Sequence, residues 1–341
     1  AASLAEALGY TPVGDGEGEI EPGAEKGYLE IPGAPQINLV LALLWAVFVG
    51  WIFSTVGAFG GVLSGVGHIT IFGLANYSKT FRDTNPALNK LLTDSIRVSN
   101  QWLVGLSGLI SSLNYYRMGR LVLPLAICLA IGSVGGSVLI PVITAGKIEL
   151  SSYIGYFGII VLVLGGFLIY QLTPRGQASK KAAKNAAKAF ESAVREKKDS
   201  SEAGVQVTKW SPAVIEFTFY GVEFKFMPLL PIVGGLCIAA IAAFIGVGGG
   251  FLLVPFMTAA VGLPMFLVAG TSALTVLVGM IVSIFTYMFV KGVPVHWVLI
   301  GVELAGIFMG SMVGPRTSKY IPEKWLQVIF IILALYVGIR Y

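Results

Sequence analysis

Glu303, in VLIGVELAGIF, is the one acid deep inside any apolar run of the chain. An ionised carboxylate at that depth costs about 2.5–3.5 kcal/mol on insertion scales, so it asks for a role. Two roles are open: carrying a proton that couples a gradient to the movement of an anion, or bonding a neighbouring helix. His68 lies in another apolar run, where an imidazole can donate to an anion, relay a proton or pack as a satisfied core histidine. Arg97 opens a third run, just before Ser99 and Asn100. Its guanidinium fork matches the paired oxygens of an oxyanion, and the same residue also suits an interfacial anchor.

Glycine clusters supply a different kind of donor. Gly57, Gly60 and Gly61 stand in one, and Gly246, Gly248, Gly249 and Gly250 in the other, each between two apolar stretches. A helix that restarts there presents unpaired amides and the positive end of its dipole, which favours an anion. One helix end contributes about 0.3–1 kcal/mol, whereas stripping water from an ion costs tens of kcal/mol on Born estimates. Further donors are needed, and Ser64, Ser99, Asn100, Gln101, Thr271 and Ser272 lie beside the breaks. Catalytic patterns are scarce: two histidines, no metal-ligand spacing, no GxSxG, and no strand before the glycines to make them a nucleotide loop. Cys128 and Cys237 sit in apolar runs without a CxxC and read as packing thiols. No enzyme activity, metal or cofactor is expected.

The elements that must position these residues are membrane spans. Of 341 residues, 55% are hydrophobic and 12% charged, with a mean hydropathy of +0.81, which excludes soluble enzymes, collagen and disordered chains. Apolar segments at 37–59, 61–76, 96–114, 119–144, 151–172, 229–247, 250–262, 265–290, 295–314 and 324–340 form two sets of five. Those at 61–76 and 250–262 are short for a ~30 Å hydrocarbon layer and read as half-helices. VGAFGGVLSGVG (56–67) and IGVGGGFLLVPF (245–256) superpose at an offset of 189. In the same order, Ser99-Asn100 matches Thr271-Ser272, Gly119 matches Gly292, and Gly132/Gly136 matches Gly306/Gly310. The fold expected is an all-α integral membrane bundle of two five-segment repeats, inverted because five is odd.

Charge assigns the sides. The linker 173–228 carries ten Lys/Arg and is placed in the cytoplasm, which puts Arg117, Arg120, Arg316, Lys319 and Lys324 on that side as well. The arm 1–36, with seven acids and Lys26, is placed outside as an exposed segment, and its lack of a leading Met suggests that a signal peptide was removed. The loop 77–95 falls outside despite Lys79, Arg82 and Lys90. Within the linker, 177–198 reads as a basic helix, either resting on anionic lipid or simply solvated, and 215–226 as a small hairpin with one apolar face. The divisions are therefore 1–36, 37–172, 173–228 and 229–341. Nucleic acid is not an expected partner.

GVGGGFLLVPF (246–256), GTS (270–272), YMFVKG (287–292) and AGIFMGSMVG (305–314) resemble the second-half signature of the TauE/SafE family of sulfite and organosulfonate exporters. The first half is similar but looser, with Ser99-Asn100 where a Thr-Ser pair belongs, and the arm, the 77–95 loop and the linker lie outside the resemblance. The family implies a bacterial inner-membrane carrier that moves sulfite, thiosulfate or sulfonates without hydrolysing ATP, and the glycine clusters themselves point to an anion held near the midplane between two broken helices. A non-transporting membrane scaffold and an anion channel are the alternatives. A second copy or a complex partner remains open.

Overall fold

A computed structural model describes residues 4–144, 169, 181–196, 203–245 and 250–340. The expected segment 151–172, apart from residue 169, and Gly246, Gly248 and Gly249 lie outside the described residues. In chain order the helices are α1 (Leu4–Gly9), α2 (Leu39–Val56), α3 (Gly60–Val66), α4 (Leu74–Thr80), α5 (Pro86–Arg117), α6 (Leu123–Thr144) and α7 (Lys181–Arg195). After three strands come α8 (Leu229–Ile245), α9 (Gly250–Phe256), α10 (Met265–Phe285), α11 (Trp297–Ser318) and α12 (Glu323–Arg340). Leu39–Val56, Met265–Val290 and Trp297–Ser318 are each long and apolar enough to cross a membrane.

Local signals explain where these helices begin and end. Asn38 caps α2 by accepting from the amides of Val40 and Leu41, at 3.0 and 3.1 Å, as short polar side chains do at helix starts. The helix stops at Gly57, whose φ of 74° suits a residue without Cβ. The chain crosses Ala58 and Phe59 and restarts as α3, which runs into a π-turn at Gly67–Ile71. The second half has the same construction: seven-residue α9, then a π-turn at Met257–Val261. Gly73 and Gly262, just after the two π-turns, have φ of 71° and 74°.

Asn85 caps α5 through the Leu88 amide at 3.0 Å, and Pro86 supplies the first helical residue. The expected loop 77–95 is therefore largely helical, comprising the end of α4 and the first turns of α5. At 32 residues, α5 is about 48 Å long, more than the hydrocarbon layer requires. It packs against α10, α11, α2 and α3, which shelters a polar face that includes Ser95, Ser99, Ser107 and Ser111.

Glycines set the closest helix pairs. Gly306 and Gly310 of α11 lie against α2, where a methyl group on Gly310 would collide with the Val47 carbonyl. Gly132 and Gly136 of α6 lie against α8, where a methyl on Gly132 would strike the Ile232 carbonyl. Small residues allow such approach in lipid, where there is little hydrophobic drive to bring helices together. Each glycine-faced helix thus pairs with the leading helix of the opposite half.

The linker rests on one end of this bundle. Strands β1 (Gln206–Trp210), β2 (Ile215–Phe219) and β3 (Val222–Phe226) form an antiparallel sheet in that order. Tyr220 and Gly221, with φ of 47° and 76°, make the tight β2–β3 turn. Phe217, Phe219, Phe224 and Phe226 are buried. Phe190 of α7 lies 5.8 Å from the Phe219 ring and 4.5 Å from that of Phe266 at the start of α10. The described part of the arm, residues 4–36, packs at the opposite end, beside the first turns of α5. Its seven acids are all exposed, but Ala7, Ile20, Tyr28, Leu29 and Ile31 are buried against Phe81, Leu88, Leu92 and Leu299. The expectation of an exposed arm thus holds for its charges only: its apolar residues recur often enough to make a docking face.

Candidate functional site

His68, Asn100 and Glu303 meet in the interior, though 32 and 235 residues separate them in sequence. The π-turn after α3 carries His68, α5 carries Asn100 and α11 carries Glu303. His68 Nε2 lies 3.0 Å from Glu303 Oε2, and Nδ1 lies 2.5 Å from Asn100 Oδ1. Side-chain exposure is 0% for His68 and 1% for Glu303. With both ring nitrogens facing oxygen atoms, the imidazole donates to both only when it holds its second proton. The arrangement can therefore store a proton between ring and carboxylate. Among the described residues Glu303 Oε1 has no hydrogen-bond partner.

A second polar group forms where the short helices begin. Ser272 of α10 donates to the Gly57 carbonyl, and the Gly57 amide donates to Phe53 at 2.7 Å. A methyl group on Gly57 would sit 2.6 Å from Ala269 Cα. Gly250 starts α9 close by, a Cβ there falling 3.9 Å from the Gly57 carbonyl oxygen. Gly60 begins α3 with its α-carbon against the Phe53 ring, and Gly61 follows, half-buried. Ser64 donates back to the Gly60 carbonyl. Thr271 accepts from the Val122 amide at 3.1 Å and donates to Leu267 at 2.7 Å.

These groups are not level. Ser54, just before the break, abuts Gly314 of α11, eleven residues beyond Glu303 and so about 16 Å along that helix. The reason is that α2 runs unbroken for 18 residues, so its break comes late and lies toward the linker end. Between the two levels, Ser107 and Ser311 share a hydrogen bond of 2.7 Å, and Ser111 Oγ is buried without a partner among the described residues.

The other candidates are placed apart or otherwise engaged. Arg97 is 3.4 Å from Asp94, one helical turn back, and a third exposed. Ser99 donates to the Ser95 carbonyl at 2.8 Å. Gln101 is half-buried, its Oε1 without a partner among the described residues. Gly248 and Gly249 lie outside the described residues.

Sequence reasoning missed three residues. Arg120, placed by its charge on the cytoplasmic side, is 1% exposed. It lies over the rings of Tyr115, Phe190 and Phe266 and donates to the Pro315 carbonyl and Ser318 Oγ, at 3.2 and 3.1 Å. Tyr28, within the arm, donates or accepts at Ser95 Oγ, 2.9 Å away. His296, two residues after Pro294 and just before α11, accepts the Leu29 amide at Nδ1, 2.8 Å away. Burial pushes His296 below its ordinary 6.5, with Glu30 pulling the other way. The available signal was the apolar run Tyr28, Leu29 and Ile31 inside an acidic segment.

The family model described as Sulfite exporter TauE/SafE matches residues 41–341. That match includes the 77–95 stretch and the linker, which the motif resemblance omitted. No curated protein and no solved structure matches the chain.

Proposed function

Because the chain belongs to the TauE/SafE family of sulfite exporters, we propose that it is a secondary carrier in the bacterial inner membrane that exports small sulfur anions such as sulfite, thiosulfate or organosulfonates. The observation that carries this reading beyond the family is the buried His68–Glu303 pair, a proton site joining the two halves of the bundle. The anion occupies the path between that pair and the junction where α3 and α9 begin, with Ser107, Ser111 and Ser311 along it. Helix starts at Gly60 and Gly250, with Gly248 and Gly249 before the latter, give it oriented amides. Gly57, Ser64, Ser99, Thr271 and Ser272 hold the helices that frame the path.

Reciprocal pairing of the glycine-faced helices, and the matching sequence of short helix and π-turn, support two inverted repeats that rock about this junction. The arm faces outward and the basic linker the cytoplasm. That orientation suits export: with the interior negative, each charge leaving gains about 2.3 kcal/mol per 100 mV, so a divalent anion gains roughly 5 kcal/mol on exit. Proton uptake at His68–Glu303 then resets the empty carrier.

The test is flux in proteoliposomes with sulfite, thiosulfate and a sulfonate. Saturable flux that responds to a pH gradient is expected. Absence of saturable flux of all three by folded protein refutes the carrier, and non-saturating flux indifferent to pH and to Glu303→Gln identifies a channel.

A further inference from the structure

We infer that the Gly27–Pro35 loop of the arm plugs the arm-side entrance to the His68–Asn100–Glu303 cluster, with Tyr28 as its gating residue. This rests on the transport reading above. Backbone bonds from Gly27 to Ile31 and from Tyr28 to Pro35, at 3.0 and 3.2 Å, close the loop. Its tip bends through two successive non-glycine residues in the left-handed region, Leu29 and Glu30, with φ of 58° and 60°. Such backbone persists only where surroundings impose it, and here they do.

Tyr28 is 2% exposed, its hydroxyl 2.9 Å from Ser95 Oγ. Ser95 is one helical turn from Ser99, which donates to the Ser95 carbonyl, and the next residue, Asn100, holds His68. The Tyr28 ring stacks on His296 at 5.6 Å and 17°, while the Leu29 amide is held by His296 Nδ1. Leu29 and Ile31 belong to one buried apolar cluster with Ala42, Phe72, Ile96 and Leu299. These come from α2, the end of the first π-turn, α5 and α11, and the last three of those elements also carry the cluster. The loop is thus wedged among the parts that must separate for the cluster to open to that side.

Two further facts fit a plug rather than a passive packing arm. The family match begins at residue 41, so the loop lies outside the matched residues. The arm's acids are all exposed around it, and negative charge at a mouth repels an anion returning from that side. Opening requires Tyr28 to leave Ser95 and the Leu29 amide to leave His296. Neither move breaks a helix.

The experiment places a reporter beneath the plug. In the full chain, Ser95→Cys is combined with Cys128→Ser and Cys237→Ser, and labelling by a membrane-impermeant maleimide is timed in nanodiscs. Labelling is slow with Tyr28 or Tyr28→Phe, since the ring still fills the entrance, and at least about tenfold faster with Tyr28→Ala or His296→Ala, because the open population rises. Fast labelling with the arm intact, or equally slow labelling in both alanine variants, overturns the plug. If Tyr28→Ala does not elute as a folded protein, His296→Ala decides. Flux measured on the same preparations separates the two ideas: faster labelling without flux in any variant leaves the plug standing and removes the carrier, and saturable flux with unchanged labelling does the reverse.

Discussion

The His68–Glu303 contact can be tested as a pair. Glu303→Gln keeps the shape and one acceptor but removes the carboxylate, and His68→Gln keeps an N–H donor but removes the imidazole. Hydrogen bonds to charged groups contribute about 1.5–3 kcal/mol, so each single change should destabilise the bundle by about 2 kcal/mol. In the double variant neither residue faces an uncompensated charge, so the loss should be about 2–3 kcal/mol rather than 4. The expected coupling is therefore about 1–2 kcal/mol, within the usual range for residues in contact. Unfolding of the four proteins in one detergent or nanodisc gives the cycle directly. Flux supplies the functional half: with Glu303→Gln, anion movement driven by a pH gradient should fall at least about tenfold, equivalent to 1.4 kcal/mol, while exchange at equal pH continues. Additive single effects together with unchanged gradient-driven flux would refute the stored proton.

Three further outcomes follow from the geometry. Ser272→Ala leaves the buried Gly57 carbonyl without its side-chain donor and should lower stability by about 1–3 kcal/mol; Gly57→Ala, strained at a φ of 74° and crowded by Ala269, should do more, and thermal unfolding compares them. Gly310→Ala and Gly132→Ala each drive a methyl into a facing carbonyl and should destabilise by about 1–3 kcal/mol, as overpacking does, whereas Gly301→Ala, which meets nothing within 4 Å, should change little. Arm docking should depend on pH. His296 accepts the Leu29 amide only when neutral and its pKa is lowered by burial, so the stabilisation is complete above 6.5 and is lost as pH falls through the lower folded value. Hydrogen exchange of 27–35 between pH 7.5 and about 5, corrected for intrinsic rates, reads this, and protection that rises with acid contradicts it.

Glu303 and His68 were legible in the sequence because ionisable groups in apolar runs are expensive and therefore conspicuous. Their meeting was not, since nothing local links residues 235 positions apart. The Gly57–Gly61 cluster announced the first break, but its level depends on how α2 sits against α11. Thr271 and Ser272 look like anion donors by type, yet in the bundle they serve backbone partners within α10, just before α6 and at the α2 break, because a hydroxyl in an apolar interior pairs with the nearest backbone group. Arg97 turned to Asp94 for a similar reason. The arm was the hardest to read: its composition is that of a solvated segment, and only the three-dimensional cleft shows why Tyr28 belongs inside.

Crossed pairing of α2 with α11 and of α6 with α8 bears on how the chain is made. During synthesis the leading half enters the bilayer with both glycine-docking surfaces unmatched, and they stay so until the trailing half leaves the translocon. A ribosome stalled before residue 229 would release a fragment unable to complete either close helix pair, a natural substrate for membrane quality control.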